Sequence, residues 1–137
     1  MKLHALPLTI AVALSTGALA DTKPKISVKA NPAMGMSPVR VVVTADITGG
    51  ANDNPEFYCP SIEWEWGDDT RSTNAEDCDP YVAGKSEIKR RFIADHTYQS
   101  SGEYRVQFRV KQKNKTVGAG STSVRVRPGL GDGGGDR

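Results

Sequence analysis

The sequence predicts an all-β protein, a sandwich of two sheets packed face to face. Apolar and polar residues alternate with a period of two along several short segments, and no segment carries the period of an amphipathic helix. Pro, Gly, Asn and Asp punctuate the chain between those segments, as turns require. Taken in order, Ile26-Ser27-Val28-Lys29-Ala30 alternates and is stopped by Asn31-Pro32. Residues 39–45 form a β-branched run with Pro38 at its edge, followed by a turn-rich stretch over residues 48–55. Ile62, Trp64 and Trp66 share one strand face, Ser61, Glu63 and Glu65 take the other, and Gly67-Asp68-Asp69 ends the strand. Residues 87–93 give a shorter strand. Tyr104, Val106, Phe108 and Val110 then face inward while Arg105, Gln107, Arg109 and Lys111 face out. After a turn at Lys113-Asn114-Lys115, residues 121–127 repeat the pattern with Thr122, Val124 and Val126 inward.

The amino terminus sets the expected compartment. Met1 and Lys2 precede a mostly apolar run over residues 3–14, and Ala18-Leu19-Ala20 has the small-x-small form that fits a signal peptidase. Residues 1–20 are therefore expected to be a cleaved signal peptide, since the apolar run falls short of the about 20 residues a membrane span needs. No later stretch is apolar enough to span, so no membrane insertion is expected after cleavage. The destination is secreted or periplasmic. The remaining 117 residues suit one domain over 21–127, and the Gly- and Asp-rich residues 128–137 are expected to form a disordered tail.

The mature chain carries 17 basic against 16 acidic residues, which excludes a global charge argument for nucleic acid. The distribution is uneven. Residues 46–80 hold ten acids against the single base Arg71, and residues 81–127 hold eleven bases against Glu87, Asp95 and Glu103. In a compact sandwich the two stretches lie side by side and neutralise each other. The two cysteines, Cys59 and Cys78, form an even count in an exported chain, which favours one disulfide. A metal or redox site is the alternative, but the spacing is unlike C-x-x-C and only one histidine, His96, remains after cleavage.

The segment Trp64-Glu65-Trp66-Gly67-Asp68-Asp69, then His96-Thr97-Tyr98, then residues 102–110 from Gly102 through Tyr104 to Val110, resembles the PKD domain family. That family shows a W-D-F-G-D-G-like strand end, an H-T-Y turn and a G-x-Y-x-V-x-L-x-V strand, and Pro38 leading into Val41-Val42-Val43 is similar to its second strand. The resemblance covers residues 26–126. It implies an immunoglobulin-like, PKD-type β-sandwich of about seven strands, acting as a non-catalytic module that binds protein or carbohydrate. Glu65 and Asp69 depart from the motif, and residues 71–95 are longer than the family's corresponding stretch, with the cysteine bridge tying them to the approach to the Trp strand. Trp64 and Trp66 are expected in the core, Gly67 and Asp68 at the strand end, His96 and Tyr98 in a structural turn, and Tyr104 as a tyrosine corner.

No catalytic constellation is present in the sequence. A triad on His96 would need Ser100 or Ser101 and Asp95 to converge from within one turn, and no G-x-S-x-G, H-E-x-x-H or phosphate loop occurs. The chain is expected to be no enzyme and to use no cofactor. Asp68 and Asp69 with Asp46 or Asp53 are weak calcium candidates, set against a plain turn in which Asp68 caps local amides. Phe57, Tyr58 and Tyr81 are the ligand-binding candidates, because loop aromatics serve protein and sugar binders; as a lid on the core they would do neither. The basic set Lys89, Arg90, Arg91, Arg105, Arg109, Arg125 and Arg127 is expected to be neutralised, with Glu63 and Glu65 paired to Arg105 and Arg109, so no nucleic-acid partner is expected. Two functions remain: an exported module binding protein or polysaccharide, or a structural spacer in a surface assembly. An exposed aromatic patch points to the first, and a long unpaired edge strand or self-association to the second.

Overall fold

A computed structural model describes residues 23–129, together with Lys2, Val12 and Ala13. The expected signal peptide, those three residues apart, and the tail from residue 130 onward lie outside the described residues. Among the described residues eight strands form: β1 (Lys25–Asn31), β2 (Met34–Met36), β3 (Val39–Thr48), β4 (Ser61–Glu65), β5 (Arg71–Ala75), β6 (Arg91–Tyr98), β7 (Gly102–Gln112) and β8 (Lys115–Arg127), with one 3-10 turn at Pro55–Phe57. They make an immunoglobulin-like sandwich of a three-stranded sheet, β1-β3-β6, and a five-stranded sheet, β2-β8-β7-β4-β5. The first pass of the chain serves both sheets: β1 runs antiparallel to β3, and beyond Asn31-Pro32 β2 runs parallel to β8.

The expected alternation places the core. Val41, Val43, Ala45 and Ile47 of β3 face Val106, Phe108 and Val110 of β7, with Ile62, Trp64 and Trp66, Phe92 and Tyr98, and Val124 and Val126 closing the cluster. Each fully buried aliphatic side chain there contributes about 1.5–3 kcal/mol of transfer free energy. Residues 102–112 and 115–127 form a hairpin over the two-residue turn Lys113-Asn114, both at positive φ (49° and 65°), the backbone that matches strand twist in a two-residue loop. A bulge opposite Val110/Lys111 resets the register so that Val117 is also buried. Gly120 faces inward on β8, where an added Cβ would lie 2.9 Å from Val28 Cγ2 and 3.1 Å from the Ile26 carbonyl oxygen. Its missing side chain lets β1 settle on β8 and close that side of the sandwich.

Three elements differ from the sequence expectation. The strand expected over residues 87–93 lies at Arg91–Tyr98, so His96-Thr97-Tyr98 sits inside β6 and not in a turn. The shift follows from burial: Phe92 and Tyr98 are buried and Ala94 and His96 half-buried, an inward face of mixed chemistry that a search for apolar alternation passes over. Residues ahead of it are held as a loop, with Ile88 buried and its amide donating to the Asn52 carbonyl at 2.9 Å. The other two additions, β2 and β5, are short edge strands with no buried residue.

Candidate functional site

The PKD-like motif residues gather where β4 turns into β5 beneath β6. His96 lies flat on Trp66, ring centroids 4.7 Å apart, and meets Tyr98 edge-on at 4.8 Å. Its Nε2 is 2.7 Å from Asp68 Oδ2, while Asp68 Oδ1 accepts from the Thr70 amide at 3.2 Å and from the Thr70 hydroxyl. Burial works to raise the Asp68 carboxyl, but the bonds from Thr70 and His96 outweigh it and hold the group below its ordinary range. Tyr98, buried, donates its hydroxyl to the Trp66 carbonyl at 2.7 Å, and burial pushes that phenol far above its usual value. Tyr104 stacks on Tyr98 at 4.2 Å and donates to the Ser100 carbonyl at 2.6 Å. Gly67 has φ 85°, and a Cβ there would stand 2.7 Å from the Arg105 carbonyl oxygen.

Chemically this cluster is a brace. A nucleophile needs its proton taken by the imidazole, with the acid behind the ring. Here the acid stands in the middle, accepting from both His96 and Thr70, so the imidazole does not contact the Thr70 hydroxyl. Ser100 and Ser101 approach Tyr104 through their carbonyls and not the imidazole through their hydroxyls.

The aromatic candidates divide. Phe57 is a correction: it is 1% exposed and belongs to the core, because the 3-10 turn over Pro55–Phe57, capped by the Asn54 side chain accepting from Glu56 N at 3.2 Å, points it inward. Tyr58 and Tyr81 come together with ring centroids 5.5 Å apart, half-buried. Their hydroxyls are both spent on loop carbonyls, Tyr58 donating to Asp79 at 2.6 Å and Tyr81 to Asp53. They fasten the long loop after β5 to the loop before β4, beside the Cys59–Cys78 disulfide with its Cα atoms 6.1 Å apart.

The acidic candidates do not converge. Asp46 pairs with Arg91 at 2.7 Å, Asp53 offers its backbone carbonyl to Tyr81, Asp68 is engaged as above, and Asp69 lies exposed at φ 65°. Among the described residues no three His, Cys, Asp or Glu side chains are grouped to hold a metal ion.

Of the seven basic residues expected to be neutralised, Lys89, Arg91, Arg109 and Arg125 pair with acids, while Arg90, Arg105 and Arg127 meet no acid among the described residues. Arg109 takes both acids, reaching Glu63 at 3.0 Å and Glu65 at 2.7 Å, because the register places Glu63 directly opposite it. Lys111 also reaches Glu63 at 3.2 Å. Burial works to raise the Glu63 carboxyl, but the bonds and charges of Lys111 and Arg109 hold it below the usual range. Arg105 bonds instead to the Ser121 hydroxyl at 2.7 Å and borders a shallow hollow of about 410 Å³ with Ser123 and Arg125. Lys89 pairs with Glu76 and Arg125 with Glu103. Arg90 holds the carbonyls of Ile47 and Gly49 at 3.1 and 2.9 Å and Asn52 Oδ1 at 2.8 Å, a clasp on the β3–β4 connection.

The feature the sequence reading missed is β5. It pairs with β4 on one side only, and all five of its residues are exposed. That includes Ser72 and Asn74, which share the inward face with their partners Trp64 and Ile62 because the smaller sheet ends at β6 and does not cover them. Both ends are pinned. At the turn, Trp66 N donates to the Thr70 carbonyl at 3.1 Å and Trp66 Nε1 to Ser72 Oγ at 2.9 Å. At the open end, the disulfide joins Cys59, just before β4, to Cys78, just after β5. The signal available in the sequence was this framing: a turn after the Trp strand, and cysteines bracketing two segments of near-equal length.

No protein-family model and no curated protein matches the chain. Among solved structures it is similar to the PKD domain of an M14-like peptidase from Thermoplasmatales archaeon SCGC AB-540-F20, at TM-score 0.51 and 19% identity, over 77% of this chain and 98% of that one. It is also similar to a CARDB domain from Pyrococcus furiosus, at TM-score 0.44 and 14% identity, over 79% of this chain and 97% of that one. The first likeness establishes the fold: an immunoglobulin-like sandwich of the PKD kind.

Proposed function

We propose that the chain is an exported, non-catalytic PKD-like module, secreted or periplasmic, that works by protein–protein contact along the open edge of its larger sheet. The exposed aromatic patch expected of a binding module is not found among the described residues, and the reading rests instead on β5, a short strand that buries none of its residues yet is fixed by a disulfide and a Trp–Ser hydrogen bond. A polar strand with no apolar anchor frays unless tied, and an open row of backbone donors and acceptors is the feature that strand-adding partners use. A disulfide is at home in an oxidising compartment, and no helix among the described residues is long and apolar enough to cross a membrane. Polysaccharide is the weaker partner class. All nine aromatic residues fall within residues 23–129 and none is exposed, whereas a sugar platform needs an open ring face.

Crosslinking capture from the native envelope tests the reading, with the wild-type chain beside Thr73→Pro. A dominant protein held by the first and lost by the second supports edge contact. Equal capture by both moves the contact elsewhere, and capture by neither leaves the spacer role. Expression with the leader in an exporting host is expected to release a chain beginning at Asp21, with the Cys59–Cys78 bridge formed.

A further inference from the structure

Resting on that reading of the β5 edge, we infer that its occupant is β5 of a second copy of this chain, paired antiparallel about a two-fold axis through Thr73. The ladder dictates which groups are available. Trp66 and Thr70 form a hydrogen-bonded pair, and in an antiparallel ladder such pairs alternate with non-bonded ones. Ser72 opposite Trp64 and Asn74 opposite Ile62 therefore bond toward β4, while Arg71, Thr73 and Ala75 turn N–H and C=O outward. Those outward groups have no partner among the described residues.

The strand is self-complementary about its centre. The two-fold sets Thr73 against Thr73 of the second copy, Arg71 against Ala75, and Ser72 against Asn74, so three bonded pairs exchange about six hydrogen bonds. Thr–Thr and Ser–Asn pairs across strands are favourable, and no like charges meet. The edge carries no Pro, Lys or inward charge of the sort that keeps edges solitary. Of the other edges, β2 has three residues and β1 is packed on β8; β6 is longer and exposes Ile93, and a dimer formed there would survive Thr73→Pro. A two-fold contact closes on itself, so the product is a dimer and not a filament. A five-residue edge sits at the small end of specific interfaces, so the dimer dissociates on dilution.

The test is light scattering and amide exchange on the oxidised mature chain over a concentration series. A dimer is expected at high concentration, with the Arg71, Thr73 and Ala75 amides slowed about tenfold or more as it forms, and Ser72 and Asn74 protected throughout. Thr73→Pro removes only an outward N–H, which an edge strand tolerates, so it is expected to keep the wild-type melting temperature and be monomeric. A wild-type chain that stays monomeric with freely exchanging Arg71, Thr73 and Ala75 amides overturns the inference, as does a dimer that survives Thr73→Pro. If the chain is monomeric but Thr73→Pro still abolishes capture of another protein, self-pairing falls and the edge-contact reading stands.

Discussion

Asp68 does two tasks with one carboxylate, closing the β4–β5 turn through Thr70 and orienting His96 across the end of the sandwich. Its depressed pKa makes it a contributor to stability with a definite sign. The contribution is present above the unfolded value of about 3.9 and is lost as pH falls through the lower folded value. Asp68→Ala is expected to destabilise the oxidised chain by about 2 kcal/mol near neutral pH, the scale for hydrogen bonds to a charged group. Urea titrations should show the gap between the two proteins closing below about pH 3.9, as the wild-type carboxylate protonates. A gap that stays constant into acid would assign the loss to packing. Gly67→Ala acts through sterics instead: it meets both a positive φ and the Arg105 carbonyl at 2.7 Å, and should cost about 2–3 kcal/mol at every pH. Phe57 shows the limit of reading single residues from sequence. A loop position has no period to assign it a face, and the inward turn at Pro55–Phe57 comes from local capping that places the ring against the core.

Strands declare themselves in sequence to the extent that they bury one face. β3, β4, β7 and β8 were legible because Val41, Val43, Trp64, Val106, Phe108 and Val124 recur at every second position, whereas the register was not, so Arg109 and not Arg105 meets Glu63 and Glu65. β6 was displaced because half of its inward face is Ala94 and His96, whose places depend on what packs over them. β5 was illegible because its sequence, Arg-Ser-Thr-Asn-Ala, meets no core at all. What holds it is covalent, and that yields a prediction. Replacing Cys59 and Cys78 together by serine reopens a loop of sequence separation 19, an expected loss of about 3 kcal/mol. Because the bridge pins one hairpin end, the loss should be local first. Amides of Ser72 and Asn74, bonded to β4, should exchange in the double variant well before those of β7. Simultaneous loss in both strands would mean that the disulfide acts on the whole sandwich and not on the edge.

Viewed as one body, the chain has an acid-rich half and a base-rich half folded into each other. Asp46 meets Arg91, Glu76 meets Lys89, and Glu63 and Glu65 meet Arg109 and Lys111, each pair drawn from the two halves. The exposed pairs among these add little stability, whereas Glu63 is buried and held by Arg109 and Lys111; for recognition, together they cancel a basic strip that would otherwise run down β7 beside Arg105. The wild-type chain is therefore expected to show no retention on heparin or duplex DNA at about 150 mM salt, since polyanion affinity grows with the number of unneutralised cations. The acids doing the cancelling can be removed without touching a base. Glu63→Gln with Glu65→Gln frees Arg109 and Lys111 on either side of the shared strand face, and should confer retention that falls steeply as salt rises. Circular dichroism would verify that the variant keeps its sheet. A folded double variant that still ignores heparin would show that the basic residues of β7 never form a common surface. A wild-type chain already retained would show that the cations outside these pairs suffice, and would bring an anionic partner back into contention.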